Sequence, residues 1–198
     1  QLRKMVVAFY VRYADMDMEK QPDQDRPSFL RIFKALEEEM QKPREIWHRE
    51  ASPCCDHRQI LIGALCSSSY KSEVKRTLEL VLATESTTAK DLLYAFTACI
   101  EECFDMRHAA EEIFTREHDK IKEIVPVRNI IYQEILLMFF RYTSFATTGE
   151  EGLITKFIYT EGAYTPEERK LINISKLLRC AQNCTRLAWK AATDENKK

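Results

Sequence analysis

Two arginines seven residues apart, Arg179 and Arg186, form the most suggestive chemical constellation in the chain. On a helix, about 100° per residue returns them to within about 20° of one face, and the 1.5 Å rise separates them by about 10 Å. Guanidinium groups so placed can converge on one anion. The planar fork of arginine suits phosphate because it donates two hydrogen bonds at once. Trp189 follows Arg186 by three residues and suits packing of the same helix against a neighbour. On spacing alone, ordinary solvated charge on an amphipathic helix accounts for these arginines better.

Other reactive side chains assemble less convincingly. Cys54-Cys55-Asp56-His57 contains ligand-type residues, but adjacent cysteines are poor zinc ligands and no second Cys/His pair follows at finger spacing. No metal and no cofactor is therefore expected. A cysteine-dependent enzyme built on Cys54, Cys55 and His57 would need a Cys and a His in contact within a pocket, and no motif marks one. The four glycines are isolated, so no loop cradles a phosphate. The carboxylate pairs Glu101/Glu102 and Glu111/Glu112 read as solvated helix faces.

The elements that must position these groups are helical. Residues 2–18 carry an apolar stripe of Leu2, Met5, Val6, Phe9 and Tyr13. After a charged loop over 19–26, Pro27 opens a second helix with Phe29, Leu30, Phe33, Leu36 and Met40 on one side. Pro43 ends or kinks it, and Ser52-Pro53 marks a further loop. A third helix is expected over 56–82, with a kink near Ser67-Ser68-Ser69. Thr88 and Asp91 make an imperfect capping box for the next helix, which should bury Leu92, Leu93, Phe96, Cys99, Ile100 and Cys103. A charged amphipathic stretch covers 107–124, and Pro126 introduces a very apolar helix over 130–142. A short helix follows near 153–159. Thr165-Pro166-Glu167-Glu168 is the strongest local signal, a capping box with proline at the first helical position. The helix that it starts should run over 166–192 and carry both arginines.

Several of these segments together resemble the 14-3-3 family. The match over 140–198 rests on Arg141-Tyr142, on Tyr164 to Leu171, and on Arg179-x6-Arg186-x2-Trp189. At the other end, Ala8-Phe9-Tyr10-Val11-Arg12-Tyr13 is similar to the family helix whose Arg-Tyr pair completes its phosphate pocket. Residues 28–40 resemble the next helix, and 57–73 resemble, more weakly, the helix that holds the bound peptide's backbone. The order of the segments is permuted relative to the family. Phe9 stands where the family has an aspartate, and Cys66 replaces a peptide-gripping asparagine, while Glu73 keeps a family glutamate.

The resemblance implies an all-α, 14-3-3-like antiparallel bundle of about eight helices, forming one domain over 1–198. It implies binding of phosphoserine or phosphothreonine peptides in a concave groove, with Arg12, Tyr13, Arg179 and Arg186 around the phosphate and Glu73 on the peptide backbone. No bond is made or broken in such a protein, so it is no enzyme. Family members are dimers, and the apolar helix over 130–140 is then a candidate interface for a homo- or heterodimer. The alternative is a helical scaffold or solenoid-type interaction module without phosphate recognition.

Bulk properties agree with a folded helical binder. The 198 residues are 45 % hydrophobic and 31 % charged, enough apolar side chains for a sizeable core. Six prolines and four glycines are too few for the turns of an all-β fold. A formal net charge of −1 argues against general nucleic-acid binding. Seven cysteines is an odd number, and Cys99/Cys103 and Cys180/Cys184 lie at helical spacing in apolar stretches. Buried thiols in a reducing cytoplasm are expected rather than disulfides. No apolar run approaches the length of a membrane span. The chain opens on Gln1 with neither a methionine nor a signal-like apolar stretch, so a missing N-terminal piece is expected.

Overall fold

A computed structural model of the chain describes residues 2–14, 26–42, 57–101, 104–143 and 153–172. All the regular elements among them are helices: α1 (Leu2–Tyr13), α2 (Pro27–Gln41), α3 (His57–Cys66), α4 (Lys71–Ala83), α5 (Ala89–Glu101), α6 (Phe104–Arg116), α7 (His118–Ile124), α8 (Ile130–Thr143), α9 (Leu153–Tyr159) and α10 (Pro166–Leu171). The all-α expectation holds, with ten helices where about eight were expected. The chain divides into two compact units, Gln1–Ile124 and Val125–Lys198.

In the first unit α3 is the hub, packed against α1, α2, α4 and α5. Its residues from Leu61 to Cys66 are all buried, so it is apolar on every side, as a central helix must be. The second helix follows the sequence pattern closely. Phe29, Phe33, Leu36 and Met40 are buried, whereas Leu30 is left exposed. Each such burial contributes about 1.5–3 kcal/mol. Pro27 occupies the first turn, and the helix ends at Gln41, before Pro43.

The single helix expected over 56–82 is two helices. Across residues 67–70, serine hydroxyls bond locally where the backbone ladder of α3 runs out. Ser67 Oγ donates to the Gly63 carbonyl at 2.7 Å, Ser68 Oγ donates to the Glu73 carboxylate, and the Tyr70 amide donates to Ser68 Oγ at 3.2 Å. Side chains that bond locally in this way compete with helical geometry. The next start agrees with expectation. The Thr88 amide donates to Asp91 Oδ2 at 2.9 Å, and the Asp91 amide to Thr88 Oγ1 at 3.4 Å. Leu92, Phe96, Cys99 and Ile100 are buried and Leu93 is half-buried; Cys103 lies outside the described side chains.

Two buried arginines close helix C-termini, where carbonyls lack intrahelical partners. Arg26 donates from Nη1 to the Arg12 carbonyl at the end of α1, at 3.0 Å. Arg58 donates from Nη2 to the Glu39 carbonyl near the end of α2, at 2.9 Å, and from Nη1 to the Ser86 carbonyl at 3.2 Å. Both side chains are about 97 % buried, since each is 3–4 % exposed. The stretch over 107–124 forms α6 and α7 rather than one run.

In the second unit α8 turns Tyr132, Ile135, Leu136, Phe139 and Phe140 into the core and leaves Ile130 exposed. It packs against α9. The hydroxyls of Tyr132 and Tyr164 meet at 2.6 Å, and Phe157 lies edge-on to the Tyr164 ring. Burial raises the pKa of both phenols above the usual value, so the pair stays neutral. Between α9 and α10, Gly162 has a φ of 87°, a left-handed value that suits glycine in a turn closed by Ala163 N–H to Thr160 C=O. The capping box is complete: Glu168 N–H donates to Thr165 Oγ1 at 3.1 Å, and Thr165 N–H donates to Glu168 Oε2 at 2.8 Å. The helix is described as far as Leu171, and its expected course to 192 lies outside the described residues.

Candidate functional site

The site residues expected from sequence fall into three groups. Arg12 and Tyr13 are adjacent at the C-terminal end of α1. The Arg12 guanidinium lies 5.9 Å from the centre of the Tyr13 ring, within cation–π range. Tyr13 is 42 % exposed and packs against Phe9, with ring centres 4.7 Å apart. A cation near the end of α1 is also favourable for the helix dipole. Arg179 and Arg186, with Trp189, lie outside the described residues.

Glu73 sits elsewhere and does something else. Its side chain is fully buried and receives Arg26 at both oxygens: the Arg26 amide at 3.1 Å, Nε at 3.2 Å and Nη2 at 3.0 Å. Burial opposes ionisation of this carboxyl, but the hydrogen bonds from Arg26 and Ser68 outweigh it and hold Glu73 below its ordinary value. Tyr70 adds its ring face, 4.5 Å from the Arg26 guanidinium carbon. Glu73, expected to contact the peptide backbone, is instead buried in an internal ion pair. Cys66 is likewise fully buried, and burial, followed by the neighbouring Cys66 thiol, pushes the Cys99 thiol well above its ordinary value.

Arg26 was missed by the sequence reading, which placed it only at the end of a loop. It ties the last turn of α1 to the start of α2 and to the head of α4, and so fixes the backbone from which Arg12 and Tyr13 project. Its partner lies 47 residues away, a distance that no periodicity reveals.

The stripe expected to be the core face of α1 is not buried. Met5 is 65 % exposed, Val6 58 % and Phe9 66 %, and Val11 is the fully buried residue instead. Leu2 lies outside the described side chains. The helix is apolar nearly all round, so its pattern did not single out the side that faces α3.

Glu111, expected on a solvated face, is also a correction. It is 5 % exposed, and its Oε1 has no hydrogen-bond partner among the described residues. Burial, offset only partly by Arg107, pushes its carboxyl up to about 7. Glu101 is exposed, and Glu112 is half-exposed and paired with Lys71 at 3.2 Å and with Lys75.

An open cleft of about 420 Å³ between α2 and α4, lined by Lys34, Glu38 and Leu80 among others, contains none of the expected site residues. Among the described residues no cluster of His, Cys, Asp and Glu could hold a metal ion, and no helix is long and apolar enough to cross a membrane. Comparison with known families, curated proteins and solved structures finds no match to this chain.

Proposed function

We propose that the protein is a non-catalytic, 14-3-3-like adaptor that grips phosphoserine- or phosphothreonine-bearing segments of other proteins. The observation that carries this reading is the end of α1, where a guanidinium and an exposed phenol stand side by side. A phosphoryl group carries about −1.5 to −2 charge at neutral pH and three strong acceptor oxygens. Arg12 supplies a forked donor and charge, and the Tyr13 hydroxyl supplies a further donor. The resemblance adds Arg179 and Arg186 as further phosphate-binding residues. Each charge-assisted bond is worth about 1.5–3 kcal/mol, so several together make an effective phosphate switch. The consequence for a client is sequestration or masking in a signalling role, with the cytoplasm as the expected compartment and a dimer as the expected assembly.

The test is a titration of phosphopeptides and their unphosphorylated twins, read by fluorescence anisotropy. The phosphorylated forms should bind more tightly, and Arg12→Ala or Arg186→Ala should abolish the difference while helix content stays constant. Equal affinity for both forms would refute phosphate recognition. It would leave a helical interaction module that grips without phosphate, a reading favoured by the exposed apolar side of α1.

A further inference from the structure

The side of α1 that faces water is a continuous apolar strip. Met5, Phe9 and Tyr13 recur at four-residue intervals, which stacks them on one face. Val6 and Tyr10 flank them, the latter 36 % exposed. Solvent-facing helix positions normally carry charge, and isolated exposed apolar residues mean little. Five together on one helix, including four aromatic or thioether side chains, are a patch of the kind that marks an interaction surface.

Charge says what fits it. The sequence of α1 contains Arg3, Lys4 and Arg12 and no acidic residue. A partner that brings apolar side chains together with negative charge complements this helix. A strip that is apolar along its length and cationic beside Tyr13 has a polarity: the anion belongs at the Arg12 end, and the apolar side chains belong toward Met5.

We infer that the exposed face of α1 selects phosphorylated protein segments with a large apolar residue two or four positions from the phosphorylated one. The spacing follows from geometry. Phe9 and Met5 lie about 6 and about 12 Å from Tyr13 along the helix at 1.5 Å per residue. An extended segment advances about 3.3 Å per residue and alternates its side chains, so residues two and four away reach Phe9 and Met5 on the same side as the phosphate. The inference rests on the phosphopeptide reading above for its anion. It adds the apolar determinant, and with it the specificity.

Four peptides separate the two ideas: phosphorylated or not, each with leucine or serine at the second and fourth positions, in sets placing these before or after the phosphorylated residue. Anisotropy titrations should show the phosphorylated leucine peptide of one set binding on the order of tenfold more tightly than its serine counterpart. Phe9→Ser should erase that tenfold advantage with the circular dichroism spectrum unchanged, because Phe9 contributes little to the core. Equal affinity of leucine and serine peptides, or a leucine preference that survives Phe9→Ser, would overturn the inference. Dependence on leucine and Phe9 with no dependence on phosphate would sustain the apolar determinant and refute phosphate recognition. Binding of none of the peptides would overturn both. A dimer in sedimentation that Phe9→Ser dissociates would assign the face to self-association and overturn the inference as well.

Discussion

Substituting Glu111 by glutamine should make the protein more stable at neutral and alkaline pH and leave it nearly unchanged in mild acid. The carboxyl, on α6, is buried, and His108 Nδ1 lies 3.8 Å from it, beyond hydrogen-bond reach. Lys71 and Lys75 of α4 are held by Glu112 instead. Burial lifts the acid from an ordinary 4.5 to about 7, with Arg107 opposing the rise. The folded chain therefore retains a proton that the unfolded chain releases. Stability from this group is fully present below about pH 4.5, and it is lost progressively as pH rises to about 7. At about 1.4 kcal/mol per pH unit, the loss amounts to about 3 kcal/mol.

Glutamine keeps the shape and cannot ionise. Urea unfolding of both chains, followed by circular dichroism from about pH 4.5 to about pH 8, should give a difference that opens with pH and then levels off at up to about 3 kcal/mol above pH 7. Glu73 contributes the opposite sign, because its pKa is held below the ordinary value. Its stabilisation is present above about pH 4.5 and is lost as pH falls further. Taking the difference between two chains that both contain Glu73 cancels that contribution. A difference that stays flat with pH would show that Glu111 is solvated and refute the burial argument.

Arg26→Met should destabilise the first unit by about 3–5 kcal/mol, because it strands the buried Glu73 charge. The double variant Arg26→Met/Glu73→Leu should recover much of that loss in the same urea experiment, whereas an additive loss would contradict the pairing. Thr165→Ala removes the acceptor for the Glu168 amide and should cost about 1 kcal/mol locally, seen as faster hydrogen exchange at that amide.

Legibility in the sequence tracked how local the deciding interaction was. Thr165 and Glu168, Thr88 and Asp91, and the α2 core positions Phe29, Phe33, Leu36 and Met40 are fixed by neighbours within one or two helical turns, and each was found from spacing. The break at 67–70 depends on Ser68 engaging Glu73, whose buried charge is held by Arg26 from another helix. A serine triplet alone reads only as a weak helix segment. Glu111 and Glu112 are indistinguishable by type, and one step of about 100° separates water from the interior. Glu111 lies beside the buried Ala110 and Phe114, which is the signal that could have placed it.

At α1 periodicity failed for a more telling reason. A helix with apolar residues on nearly every side offers the core several faces, and the one carrying Val11 is the one that became buried. A chain selected only for folding would place charge on the face left over, since exposed Phe and Met add nothing to stability and invite association. Local rules broken without gain in stability are expected where a surface has another task. Arg26 strengthens that inference. Its guanidinium, ion-paired with Glu73, holds the Arg12 carbonyl in the last turn of α1, and so anchors the strip in place although only Val11 among the described side chains of α1 is fully buried. Anchoring a helix by its end while leaving its largest side chains in water makes sense when those side chains meet a partner.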